Sequence, residues 1–269
     1  MKLCFSTLGC PEWTWNDILS TAKDLGYNGI EIRGVGNEMF APFITAFKDK
    51  DREVTIKRLK GMGLEISCLT SFCQLFDEQN KEKNYNECVQ YIVLAAKMEV
   101  PYIRVLGDIA PMPGETVNEE FVKKSLEKWT AYAKEKKVCL LVESNGIYAD
   151  SKKLANLMKD ISSEFVGVLW DIHHPARFFN EDIEYTYYNL KPYIKHVHIK
   201  DSIMINKEVE YKMTGQGDIP VEKALRLLNK NSYDGYVSLE WVKRWCSSLE
   251  APGVVLPQFI SYITSMTEI

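Results

Sequence analysis

Histidine is scarce in this chain: four residues of 269, all between His173 and His198. Chemistry that needs imidazoles spread over a whole fold is thereby excluded. Cysteine is present but unorganised. The seven thiols, Cys4, Cys10, Cys68, Cys73, Cys88, Cys139 and Cys246, are odd in number and form no C-x-x-C pair. Several lie in apolar runs, where a free thiol behaves as a small core residue. A disulfide scaffold is excluded, and a reducing compartment, the cytoplasm, is expected. No apolar run approaches the roughly 20 residues of a membrane span, and the first residues lack the apolar stretch of a signal peptide. Neither sign of charge dominates. The 33 basic and 37 acidic residues give a formal net charge of −4, with no basic block to hold nucleic acid. Low-complexity segments and linkers are also missing. Residues 1–269 are expected to form one domain, since single α/β barrels run to roughly 250 residues.

What the chain does have is alternation. Short β-type runs, Leu3–Leu8, Gly29–Gly34, Glu65–Phe72, Tyr102–Gly107, Cys139–Ser144, Val166–His173, Ile194–Asp201 and Gly235–Trp241, are rich in Val, Ile, Leu or aromatics. Gly, Asn, Asp or Pro punctuates them. Between them lie segments with helical spacing, most clearly Asn118–Lys137, where Phe121, Val122, Leu126, Trp129 and Ala133 trace one face. Asp17–Leu25, Arg52–Met62, Tyr85–Met98, Ser151–Ile161, Val221–Leu228 and Pro257–Met266 behave similarly, and Glu181–Leu190 does so more weakly. Asn118 suits a helix start, and Gly26 and Gly63 suit helix stops. Eight strands alternating with helices predict parallel pairing through right-handed crossovers. The expected fold is α/β: a single, eight-stranded parallel (β/α)8 TIM barrel.

In such barrels the chemistry lies at the C-terminal ends of the strands. Four consecutive runs end in a residue with a ligating group: Glu143 in the fifth, Asp171 in the sixth, His198 in the seventh and Glu240 in the eighth. A lone strand-end acid often caps the next helix or pairs with a lysine. Four in succession, 28 residues from Glu143 to Asp171 and 27 from Asp171 to His198, follow the period of a β-α unit. Three buried carboxylates at one barrel mouth would repel and protonate without a compensating cation. A divalent metal held by Glu143, Asp171, His198 and Glu240 is expected. Oxygen-rich ligation with one imidazole suits Mn²⁺, Mg²⁺ or Co²⁺, Mn²⁺ first, ahead of Zn²⁺. Such an ion would act as a Lewis acid on a carbonyl and its neighbouring hydroxyl while a carboxylate removes the α-proton, giving an enediolate. The long connection Ser202–Ile219, with its Gly215-Gln216-Gly217-Asp218 turn, either covers this site or is a solvated loop.

These pieces resemble the xylose isomerase-like TIM barrel superfamily, in particular its sugar isomerase and epimerase branch. They are Glu143 followed by Asn145, the Trp170-Asp171-x-x-His174 run, the His198-x-Lys200-Asp201 run, Leu239-Glu240, and Gly26-Tyr27-Asn28-Gly29-Ile30-Glu31 leading into the second strand. The resemblance covers essentially the whole chain. It implies that Glu143 and Glu240 are both ligands and the catalytic acid/base pair on opposite faces of the substrate. It also implies that His174 and Lys200 contact the substrate. Asp171 shares its strand face with His173, so His174 enters the site only where the strand has ended, and Pro175 makes that break. The choice between His173 and His174 stays open, with His174 preferred. His196, deeper in the barrel, reads as a satisfied core histidine. Trp13 could stack on a sugar or form an apolar lid. Glu31 and Arg104 could touch substrate or pair with each other.

Relative to the ketose 3-epimerases, Ser202-Ile203-Met204 lacks an arginine and Ile147-Tyr148-Ala149 lacks a glutamate. Free-ketose 3-epimerisation is therefore not the expected reaction. The expectation is a metal-dependent isomerase or epimerase acting on a small-molecule sugar or sugar phosphate, with no organic cofactor, nucleic-acid or membrane partner. Assembly into a homo-oligomer is left open. An inosose-type dehydratase would use the same site. A phosphodiesterase resembling endonuclease IV would need histidines on many strands, and a non-catalytic barrel would be expected to lose a ligand. Neither fits.

Overall fold

The β-type runs become strands β1 (Lys2–Ser6), β2 (Gly29–Ile32), β3 (Glu65–Gln74), β4 (Tyr102–Leu106), β5 (Cys139–Glu143), β6 (Val166–Asp171) and β7 (Ile194–Ile199), followed after a hairpin by β10 (Tyr236–Leu239). In this computed structural model, which describes residues 1–109, 111–113 and 117–267, all eight pair in parallel. They close a barrel in the order β1-β10-β7-β6-β5-β4-β3-β2. Each is shorter than its apolar run except β3, which extends to Gln74 through a register shift against β4. The β-branched and aliphatic residues that point outward meet the helices, as Val105, Val142, Val168, Trp170 and Val197 show by complete burial.

The helices are α1 (Trp15–Asp24), α2 (Asp49–Met62), α3 (Lys81–Met98), α4 (Glu119–Glu135), α5 (Ser151–Ile161), α6 (His173–Phe179), α7 (Ile183–Leu190), α8 (Val221–Lys230) and α9 (Pro252–Thr267). Their ends follow local chemistry. Thr14 and Asp17 form a capping box that starts α1 ahead of the expected Asp17. Asn118 accepts from Phe121 N and Asp150 from Lys153 N at the starts of α4 and α5. Gly63, at φ 68°, stops α2 in the left-handed region. The last helix begins at Pro252 and carries Pro257 inside it, because Val255, Leu256, Phe259 and Ile263 bury against the barrel.

The connection after β7 differs from expectation. It is not a loop but an antiparallel hairpin, β8 (Asp201–Ile205) and β9 (Glu208–Lys212). Asn206 and Lys207, both at positive φ, make its two-residue turn of the kind that matches strand twist. The Gly215–Asp218 turn follows and is gathered by one carboxylate. Asp201 accepts from Ser202 N and Ile219 N at Oδ1 and from Gly215 N and Gly217 N at Oδ2. No helix among the described residues is long and apolar enough to cross a membrane.

Candidate metal centre

Side chains alternate along a strand, so each strand sends every second residue into the barrel. In most barrels those positions are filled by branched aliphatics. Here the layer nearest the C-terminal mouth is ionic. Glu31, Arg104, Glu143, Asp171, His198 and Glu240 are all buried, and Lys200 lies one pleat above His198. Ligand atoms of Glu143, Asp171, His198 and Glu240 lie within 4.8 Å of one another. From His198 Nδ1 the distances are 3.5 Å to Glu240 Oε1, 3.7 Å to Glu143 Oε1 and 3.9 Å to Asp171 Oδ2.

Those separations are too long for hydrogen bonds, and Nδ1 is buried without a hydrogen-bond partner. They suit groups that share a divalent ion. Ligands about 2.0–2.2 Å from one ion stand roughly 3–4 Å from each other. Charge points the same way. Four carboxylates, Glu31, Glu143, Asp171 and Glu240, face two fixed cations, Arg104 and Lys200, and the three imidazoles of His174, His196 and His198. With the three imidazoles neutral, as His198 must be once it ligates a metal, two negative charges remain uncompensated, which is the charge of a divalent cation. The donor set fits such an ion.

Each member is also pinned from outside the cluster. Arg104 Nε lies 3.3 Å from Glu143 Oε2, and Lys200 Nζ donates to Glu240 Oε2 and, at 2.8 Å, to Asp171 Oδ2. Burial would raise the Glu143 pKa, but the Arg104 charge and His198 bring it down to about 2. Burial likewise opposes ionisation of Glu240, and Lys200 and His198 bring it down to about 2. Asp171 divides its oxygens: Oδ1 accepts from His173 N and His174 N at the start of α6, while Oδ2 faces the cluster. Capping and lysine pairing, the two ordinary roles of a strand-end acid, thus coincide with convergence on the site.

The structure corrects one expected pair. Glu31 does not meet Arg104. Its Oε2 accepts from His198 Nε2 at 2.8 Å and its Oε1 from Thr70 Oγ1 at 2.7 Å. Arg104 points higher, to Glu143. Glu31 therefore supports His198 from beneath, fixing the imidazole so that Nδ1 looks upward. Burial would lower the His198 pKa, but Glu31, Glu240 and Glu143 around it raise it well above the usual imidazole range. His196 is in the core as expected but is not satisfied. Neither ring nitrogen has a hydrogen-bond partner, and Nε2 stands 3.4 Å from Glu31 Oε2, which is already committed to His198. Burial brings its pKa down to about 4.

At the α6 start the two adjacent histidines diverge. Ile172 has already turned helical, so the strand has ended. His174 joins the cluster: Nδ1 donates to Ser144 O at 3.0 Å, which leaves Nε2 to accept from Lys200 Nζ at 3.2 Å. His173 turns to the hairpin, with Nε2 2.8 Å from Ser202 Oγ and its ring 5.9 Å from Tyr211. Trp13 packs half-buried against the core.

Two mouth residues escaped the sequence reading. Arg33 lies two positions after Glu31, so the strand period puts both on the inward face, which was the available signal. Trp245, in the connection after β10, carried no signal. Both line a cavity of about 690 Å³ together with Met39, Phe40, Phe72 and Tyr91.

With this geometry in place, likeness to known proteins becomes informative. The family model for the xylose isomerase-like TIM barrel matches residues 19–256. The chain belongs to that family. Among solved structures of the same fold is the IOLI protein with a binding zinc atom, at TM-score 0.79 and 18% identity over 100% of this chain and 99% of that chain. The probable 3-DHS dehydratase AsbF from Bacillus anthracis follows at TM-score 0.78 and 16% identity, covering 98% and 99%. D-psicose 3-epimerase from Clostridium cellulolyticum H10, with D-tagatose, has TM-score 0.77 and 15% identity, covering 100% and 99%. At such identities the likeness is one of fold. No curated protein sequence matches the chain.

Proposed function

We propose that this family member is a divalent-metal-dependent isomerase or epimerase of a small sugar or sugar derivative. The observation that carries the reading is the arc of strand ends β5-β6-β7-β10. Its inner members, Asp171 and His198, are flanked by Glu143 and Glu240 at the two outer positions. All four would hold the ion, with Mn²⁺ favoured among Mn²⁺, Mg²⁺, Co²⁺ and Zn²⁺. When bound, the ion supplies Lewis-acid polarisation of a substrate carbonyl.

The chain supplies the rest. A sugar lying across the arc has one glutamate on each side. One carboxylate takes the proton from the carbon beside the carbonyl, and the other returns a proton to the opposite side or to the neighbouring carbon. Both are held ionised in the free site, as a proton acceptor must be. The glutamate that delivers a proton therefore first takes one up from solvent as substrate binds, and the one that removed a proton releases it to solvent afterwards. Lys200 and His174 form a polar pair at the same point and orient a substrate oxygen. Arg104 keeps Glu143 in position. The solved structures support the choice of substrate class: an epimerase with a sugar and a zinc-bearing relative share this fold.

A sugar or polyol dehydratase is the second reading, favoured by the buried Lys200 ammonium beside Glu240. Dehydration begins with the same proton abstraction and then needs an acid for the departing hydroxyl. The probable dehydratase among the similar folds supports keeping it.

The deciding experiment loads the protein with each of the four metals in D₂O. Ketoses, ketose phosphates, ketose acids and inososes are then followed by NMR for deuterium at the α-carbon. Exchange without loss of water marks an isomerase or epimerase, and exchange with water loss marks a dehydratase. Absence of exchange across panel and metals would sink the α-proton chemistry.

A further inference from the structure

Arg33 is 8% exposed, yet among the described residues no carboxylate and no hydrogen-bond acceptor meets its guanidinium. Only its backbone is tied down: Arg33 N and Gly34 N both donate to Thr7 Oγ1. What flanks the charge is aromatic. Its Cζ lies 5.8 Å from the ring centre of Phe72 and 5.8 Å from that of Trp245. Burying a cation with only two ring faces for company is costly unless a counter-charge arrives. The rings themselves gain little from the core, since Phe72 is 49% and Trp245 60% exposed.

The other cations at the mouth are committed. Arg104 holds Glu143, Lys200 holds Asp171 and Glu240, and Arg244 donates to Gly36 O and Pro11 O. Glu87, a carboxylate on the cavity wall, faces Lys83 at 4.0 Å. Burial, with Arg104 and Arg244 nearby, depresses the Arg33 pKa to about 10 against the pull of Tyr91 and Glu240, so it stays charged at neutral pH. Arg33 follows Glu31 by two residues just past the C-terminal end of β2, and Glu31 bonds His198 of the cluster, so the guanidinium springs from the mouth end of the strand that supports the metal site.

We propose that Arg33 is the anion-binding residue of the substrate pocket, and that the substrate is a sugar acid whose carboxylate sits on the Arg33 fork between Phe72 and Trp245. The proposal rests on the isomerase reading for the position of the substrate's other end. A carboxylate fits better than a phosphate for two reasons. A single guanidinium balances one charge, and the backbone N–H groups of Arg33 and Gly34 that might cradle a phosphate are spent on Thr7. The guanidinium matches a carboxylate with two parallel hydrogen bonds.

The test uses three ketoses alike from carbons 1 to 5: D-fructuronate, D-fructose and D-fructose 6-phosphate. Mn²⁺-loaded wild type, R33Q and R33K are titrated with each by calorimetry, with melting curves to verify folding. The wild type is expected to bind the acid roughly tenfold or more tighter than fructose, a preference that R33Q abolishes while fructose affinity holds within about twofold. R33K, which keeps the charge but not the fork, falls between. The proposal is overturned if the acid binds no better than fructose or not measurably, if R33Q weakens both equally, or if the phosphate binds tighter than the acid. Deuterium exchange on the same three compounds separates the two readings. An Arg33-dependent preference without exchange would remove the isomerase and leave the anion site. Exchange indifferent to charge and to R33Q would do the reverse.

Discussion

Replacing Glu31 by glutamine isolates the group beneath the metal centre with almost no change in shape. In the native chain its carboxylate is fully buried and accepts from Thr70 Oγ1 and His198 Nε2. Glutamine offers one acceptor and one donor in their place. If the amide oxygen keeps Thr70, the NH₂ group opposes His198 Nε2–H, and the ring must move its proton to Nδ1, the nitrogen that faces Glu143, Glu240 and Asp171. If the amide turns over, the hydrogen bond to Nε2 survives but the negative charge behind it is gone. Either arrangement makes Nδ1 a poorer ligand. Loss of such a supporting carboxylate costs about 10- to 100-fold in metal affinity, or roughly 1.4–2.8 kcal/mol. The assay is Mn²⁺ affinity by calorimetry under chelator competition, alongside kcat at saturating Mn²⁺. Affinity should fall by that factor while kcat at saturation stays within severalfold. An unchanged Kd would refute the supporting role. An intact Kd with kcat lost would make Glu31 a substrate contact instead.

Glu143→Gln and Glu240→Gln should each cut α-proton exchange by about 10²–10⁴-fold even at saturating metal, and full activity in either would remove it from the proton path. Metal binding should strengthen with pH. His198 is held protonated by its carboxylates, so an ion competes with a proton for Nδ1 below the raised pKa, and Kd should drop by up to about tenfold per pH unit. A flat Kd between mildly acidic and neutral pH would contradict that competition. Asp201→Asn leaves two of four backbone donors without an acceptor and should lower unfolding free energy by roughly 2–4 kcal/mol in urea melts. Gly217→Ala, whose new Cβ would fall 2.1 Å from Asp201 Oδ1, should destabilise the same turn, and wild-type stability in both would show the turn to be slack.

The barrel was legible because each strand is a short apolar run bounded by punctuation, and because parallel strands buried on both faces leave few alternatives. The four convergent residues were legible because polar groups at strand ends violate the core pattern in register. The hairpin was not. Met204 and Ile205 are exposed, and its turn is Asn206-Lys207 without the glycine that usually marks such turns. The partners of Glu31 and Arg104 were equally hidden. A register shift between Ile30 and Glu31 sets Glu31 opposite Cys68 on β3 while Arg104 stands opposite Thr70, and no strand pattern reports that. Arg33 stood in plain view two residues beyond Glu31. What marks it out is that no acceptor among the described residues meets its guanidinium, and only three dimensions reveal that.

The divided carboxylate of Asp171 has a consequence for how this site can change over time. One oxygen sets where α6 begins, and through His173 and Ser202 that helix is fastened to the hairpin. The other oxygen looks into the reaction centre. A glutamate here would keep the charge but lengthen the reach, and would shift the helix start along with the ligand. Asparagine would keep the cap and forfeit the charge. Scaffold and reactivity are thus locked into one side chain. Drift in substrate preference has its freedom elsewhere around the rim, at positions such as Trp245, whose ring is largely exposed and sets no helix start.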